Sequence, residues 1–175
     1  MDMRYGFVLL ILLLFTACGS TTSPISDPGL LGQVLVGVEP TEPAFGTFSS
    51  ALADEELADV RELLMQEGPY TVFVPGNAAF DAYFEARGIT KEAFLASDEM
   101  PEIIRAHIAL GKYNADTLLG NDTLTAENLN GDTLTISREG DDFYVNGVPV
   151  DGPVVEGTGN VKNGALHFLL GVIEP

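Results

Sequence analysis

Apolar and polar positions divide the chain into three stretches. Residues 7–15 are unbroken hydrocarbon, residues 19–29 are polar and interrupted by Pro24 and Pro28, and from about Leu30 apolar residues recur at regular spacing. In the third stretch a short helix is predicted to end at Leu52, with Thr47 or Ser49 as its cap. Leu57, Val60, Leu63 and Leu64 recur at helical spacing between Asp54, a capping residue, and Gly68-Pro69, a stop, which predicts a helix over 55–67. Residues 70–74, Tyr-Thr-Val-Phe-Val, are β-branched and aromatic and predict a strand ended by Pro75-Gly76. Asn77 is placed to cap a helix that carries Phe80, Tyr83 and Phe84 on one face and closes at Gly88. Asp98 opens another, with Pro101 tolerated in its first turn and Ile103, Ile104, His107 and Ile108 as its stripe. Beyond this the period falls to two. Residues 133–137 put Leu134 and Ile136 on one side, Glu139-Gly140-Asp141 turns the chain, and 143–145 return it as a hairpin. Asn146-Gly147 makes a second tight turn into 148–150, 153–155 is a further edge, and 165–173 is a final apolar strand. Helices followed by strands, without alternation of the two, give the α+β class.

The first two stretches are not part of that unit. Nine helical residues rise only about 14 Å, roughly half the hydrocarbon thickness of a bilayer, so 7–15 is too short to span one. Behind a short head containing Arg4 it reads as the apolar core of a signal peptide over 1–17. Thr16-Ala17-Cys18-Gly19 resembles a bacterial lipoprotein box, which implies cleavage between Ala17 and Cys18 and lipid attachment at Cys18; Phe15 departs from the aliphatic residue that the box prefers. Ordinary secretion, with cleavage after Gly19, is the alternative. Residues 18–30 then form the lipidated Cys and a flexible tether, and 31–175 form one folded domain.

Composition sharpens this picture in two respects. Against 26 Asp and Glu stand 8 Lys and Arg, a net charge of −18; such a chain repels phosphate backbones, so nucleic acid is not an expected partner. Removal of 1–17 takes away Asp2 and Arg4 together, and the −18 stays with the exposed domain. One Cys excludes an internal disulfide, and fits Cys18 as the point of attachment.

Candidate chemistry is sparse. His107 and His167 are the only imidazoles, and both sit among apolar residues, which predicts hydrogen-bonded core histidines and no catalytic residue. No spacing of His or Cys suits a metal, no cofactor loop is present, and Asp141-Asp142 offers at most a weak calcium-binding pair.

Two segments resemble a known family. Thr71-Val72-Phe73-Val74-Pro75-Gly76-Asn77-Ala78-Ala79-Phe80 is similar to the first signature of fasciclin-like domains. Asn163-Gly164-Ala165-Leu166-His167-Phe168-Leu169-Leu170-Gly171-Val172-Ile173-Glu174-Pro175 is similar to the closing signature, and the segment from His107 to Tyr113 occupies the place of the family's Tyr-His segment. The resemblance covers about 31–175. It implies a β-sheet wedge or sandwich with helices packed along one side, and marks Thr71, Phe73, Pro75, Asn77, Phe80, His107, Asn163, Gly164 and His167 as mainly structural signature positions.

The same resemblance implies a non-catalytic adhesion or matrix-binding module, held at the outer membrane or cell surface by its lipid, or else secreted or periplasmic. Its expected partner is a protein or polysaccharide of the surface or matrix. Integrin recognition does not carry over, because Ala106 stands at the family's Tyr, Leu170 at the closing Asp, and Asn160-Val161 near the Asp-Ile pair. An envelope carrier of a small apolar molecule is the competing expectation.

Overall fold

The computed structural model describes residues 31–36, 45–66, 68–151 and 161–175. One helix, α1, Leu31–Val36, precedes the first predicted one, which is α2, Gly46–Leu52, ending at Leu52 as expected. Neither Thr47 nor Ser49 caps α2. Its first turn instead gives the Thr47 N–H to the side-chain oxygen of Asn77, 2.9 Å away and 30 residues later. The helix expected over 55–67 starts as a 3-10 turn, Glu55–Leu57, with the Asp54 carboxylate accepting from the Glu56 N–H at 3.0 Å, and continues as α3, Ala58–Met65.

Strand β1, Tyr70–Pro75, leads into α4, Asn77–Arg87, which Gly88 closes in the left-handed conformation. Asn77 is the first residue of α4 and not its cap. Gly76, extended, holds that position, so the Asn77 side chain is available to α2. Two short elements follow, α5, Lys91–Leu95, and α6, Met100–Ala106, where Glu99 rather than Asp98 is the cap. His107 ends α6, and Ile108 opens strand β2, Ile108–Leu110, instead of extending the helical stripe. After α7, Ala115–Leu119, come β3, Thr123–Glu127; β4, Thr133–Glu139; β5, Asp142–Val145; β6, Val148–Pro149; and β7, Gly164–Leu169. The edge expected at 153–155 lies outside the described residues. The last strand stops four residues short of Ile173 because its partner β1 runs out at Pro75, which has no N–H; the Gly76 N–H makes the closing bond to Leu169.

The strands form two sheets, in the orders β2-β1-β7 and β3-β4-β5-β6. β1 and β7 are parallel, with Phe73 opposite His167, and the second sheet is antiparallel throughout. Antiparallel bridges Val150 to Leu169 and Ala109 to Asn128 join the sheets at both margins. Alternation along β1 divides the interior. Val72 and Val74 face the helices with Phe48, Phe80, Phe94 and Ile104, whereas Phe73 faces the space between the sheets with Leu134, Ile136, Phe143 and Val145. The α+β class and the wedge of sheets backed by helices are thus observed.

Candidate functional site

Both signature segments meet at the β1–β7 pair, and their polar side chains act on backbone far away in sequence. Thr71 is wholly buried in β1; its hydroxyl donates to the Gly111 carbonyl at 2.8 Å and accepts from the Tyr113 N–H at 2.9 Å. Two register positions along, His167 stacks on Phe73 with 5.7 Å between ring centres, and its Nε2 donates to the Tyr113 carbonyl at 2.6 Å. Together the two side chains hold the loop from Gly111 to Tyr113. Nothing in the local pattern around residues 111–113 signals that role.

Asn163 performs a similar task where the β1–β7 pair begins. Its side-chain oxygen accepts from the Leu31 N–H at 2.8 Å, and its amide donates to the carbonyls of Leu64 and Gln66 at 2.8 and 2.7 Å. The Asn163 carbonyl accepts from the Tyr70 N–H at 3.0 Å. Gly164 follows because β7 must start against the backbone of Tyr70, where a side chain has no room. Phe73 and Phe80 are core residues, and Pro75 ends β1.

His107 lies wholly buried between α6 and the last residues of the chain. Its Nδ1 donates to the Ile103 carbonyl at 2.7 Å, and its Nε2 accepts from the Ile173 N–H at 2.9 Å. That pair of bonds requires the neutral ring with its proton on Nδ1. Burial pushes the His107 pKa from 6.5 down to about 4, against a smaller opposing effect of the bond to Ile103. Burial also lowers the pKa of His167.

These shifts fix a sign. Between about 6.5 and 4 the unfolded chain binds a proton at position 107 that the folded chain refuses, so stability is lost as the pH drops through that window. His167 adds in the same direction. At about 1.4 kcal/mol per pH unit, His107 accounts for about 3 kcal/mol. The difference in unfolding free energy between the natural protein and His107→Gln is expected to shrink by that amount from pH 7 to pH 4 in urea titrations. A difference that stays constant with pH would show that His107 does not titrate this way.

The arrangement leaves little for chemistry. Each signature hydroxyl, amide and imidazole is engaged with backbone, and among the described residues no three His, Cys, Asp or Glu side chains converge to hold a metal. No helix among them is long and apolar enough to cross a membrane. A solvent-open cleft of about 440 Å³ lies between the start of α4 and the end of β7, with Ala78, Phe168 and Leu170 on its walls and Asp151 at its margin. Leu170, where the family's closing Asp would stand, is 59% exposed. Ala106 and His107, in the Tyr-His place, are buried completely. Residues 17, 18 and 160 lie outside the described residues.

Comparison with known proteins gives consistent results. Protein sll1483 of Synechocystis is 30% identical over 131 residues, 74% of this chain and 68% of that protein. Cell surface glycolipoprotein MPB83 of Mycobacterium bovis is 28% identical across 91% of this chain and 68% of its own. Human periostin is 25% identical over 83% of this chain, which spans only 17% of periostin. Among solved structures, a FAS1 domain pair from the insect cell adhesion molecule Fasciclin I superposes with a TM-score of 0.60 at 14% identity, over 84% of this chain and 51% of that one. The fasciclin domain model matches residues 43–175, the stretch in which Thr71, His107, Asn163 and His167 tie distant backbone together, and this chain belongs to the fasciclin domain family.

Proposed function

We propose that the chain is a non-catalytic binding module, exported and held at the cell envelope by a lipid on Cys18, that mediates adhesion through a protein or polysaccharide partner. One observation carries this reading: every polar signature side chain is consumed in holding the scaffold, so contact with a partner falls to the outer surface. The names of relatives support it, a cell surface glycolipoprotein and a cell adhesion molecule among them. Integrin-type recognition stays outside the proposal, since Ala106 and His107 are inaccessible and Leu170 supplies no carboxylate. The apolar walls of the cleft beside Leu170 favour a second reading, transport of a small apolar molecule, which native mass spectrometry of the purified protein would reveal as a bound mass.

Cells lacking the protein are expected to lose surface attachment or aggregation, and Cys18→Ala is expected to move the protein from membranes to the soluble fraction and abolish palmitate labelling. Unchanged attachment in the deletion strain, with no matrix or envelope component retained by the purified protein, would refute adhesion. Palmitate that labels Cys18→Ala equally would refute the anchor.

A further inference from the structure

We propose that the outward face of β3, β4 and β5 is a docking platform for a polysaccharide that carries free amino groups; this rests on the binding-module reading above. Register defines the face. Thr123 lies opposite Ser137, Thr125 opposite Thr135 and Glu127 opposite Thr133; Ser137 then pairs with Tyr144, and Glu139 with Asp142. The other face buries Ala126, Leu134, Ile136, Phe143 and Val145 between the sheets, so a slip of one residue would expose the core and the outward set is fixed.

Residues sharing a face repeat about every 7 Å along a strand and about every 5 Å between strands. Five hydroxyl-bearing side chains therefore make a flat grid with the polarity of a sugar surface. From Thr133 to Glu139 the platform extends about 20 Å, long enough for several pyranose rings. Tyr144, half-buried between Ser137 and Pro149, adds an aromatic ring with a polar end. Exposed threonine also favours a strand for its own sake, so the hydroxyls by themselves name no ligand.

Charge complementarity names it. Glu127 bounds the grid at one end, and Glu139 and Asp142 bound it at the other, directly opposite each other. Like charges so placed destabilise a sheet, and no ion pair among the described residues joins any of the three carboxylates to a cation. The guanidinium of Arg138, next to Glu139 in sequence, is engaged with the carbonyls of Gly140 and Leu119. On a chain of net charge −18 an anionic polymer is repelled, and a second copy of this chain is repelled likewise. A neutral glycan would leave the carboxylates unanswered. A polymer with both hydroxyls and ammonium groups meets the grid and its margins together.

The test uses the purified full chain on beads of chitosan, of chitin and of alginate, at about 0.15 M salt so that diffuse attraction is screened. Retention is expected on chitosan, less on chitin and none on alginate. Glu139→Gln with Asp142→Asn, and separately Tyr144→Ala, should weaken chitosan binding about tenfold without lowering the melting temperature. Asp81→Asn with Glu85→Gln, the same charge change on exposed α4 positions, should leave binding unchanged. Equal weakening by the α4 pair would reduce the effect to ion exchange and overturn the proposal. Equal retention on chitin, unaffected by the Glu139 and Asp142 changes, would overturn the amino-group claim, and dimerisation abolished by Thr125→Lys would give the face to a second copy. Failure on chitosan by a protein that still supports attachment of cells would sink this platform and leave the binding-module reading standing.

Discussion

Gly164→Ala is expected to destabilise the domain by about 4 kcal/mol or more, beyond the usual cost of an overpacked core, because the obstruction is backbone. A methyl group at position 164 would lie 1.9 Å from the carbonyl oxygen of Tyr70, 2.9 Å from its carbon and 2.7 Å from a methyl of Leu31. Tyr70 is the residue directly opposite in the β1–β7 register, and its N–H is bonded to the Asn163 carbonyl, so β1 cannot withdraw without breaking the start of the parallel pair. The approach is close on both sides, since a methyl group at Gly68 would lie 2.1 Å from the Asn163 oxygen. In a chain of this size about 4 kcal/mol lowers the melting temperature by about 10–15 °C. Gly171→Ala is the control: its methyl group would meet only the Val148 side chain, at 3.0 Å, and that side chain can yield. A Gly164→Ala protein melting within about two degrees of the natural one in calorimetry would refute this account of the strand junction.

The position of Gly164 was legible in the sequence, but its reason was not. As a residue ahead of an apolar run it reads as a turn, whereas its task is to let two strands start nearly in contact across 94 positions of sequence. Local periodicity carries no information of that range. It did carry the 3.6-residue stripe of α3, the Phe80, Tyr83 and Phe84 face of α4 and the hairpin of β4 and β5, where neighbours in sequence are neighbours in space. Three short helices and one strand escaped it. α1, α5 and α7 are too short to show a period, and β3 turns inward only Leu124, half-buried, and the small Ala126, between exposed Thr123, Thr125 and Glu127. At Ile108 the pattern misled, because the apolar stripe of α6 runs on into β2 without a polar break.

Asn77 shows the same limit at the level of a single side chain. An Asn after Pro-Gly and before a helical run has the form of a cap, and here it does cap a helix, but α2 rather than its own. The polar signature residues share this property: each satisfies backbone groups that the sequence places 30 or more residues away. Such residues resemble catalytic ones when only the sequence is in view, being polar, isolated and set in apolar segments. Burial and partners separate the two cases. A catalytic imidazole needs one nitrogen open to a substrate, and both nitrogens of His107 are occupied by the backbone.

Asn163→Ala provides the sharpest trial of that distinction, with an expected loss of about 3–5 kcal/mol against a total stability of about 5–15 kcal/mol for a domain of this kind. The substitution removes partners from the Leu31 N–H and from the Leu64 and Gln66 carbonyls, and a buried polar group left unpaired costs about 1–3 kcal/mol. Its consequence should be local before it is global. The Leu31 amide is expected to change from protected to freely exchanging with solvent deuterium, as α1 loses its attachment to the strand junction, while amides of β4 and β5, joined to each other and not to Asn163, keep their protection. Asn163→Asp separates donor from acceptor. It preserves an oxygen for Leu31 but turns a carboxylate toward two carbonyls, so it should be at least as damaging as Ala near neutral pH and recover partly in acid, where the protonated group can donate again. Loss of less than about 1 kcal/mol in Asn163→Ala, with Leu31 still protected, would show that the signature asparagine does not hold the helices to the sheet, and its place in the signature would then need a surface partner to explain it.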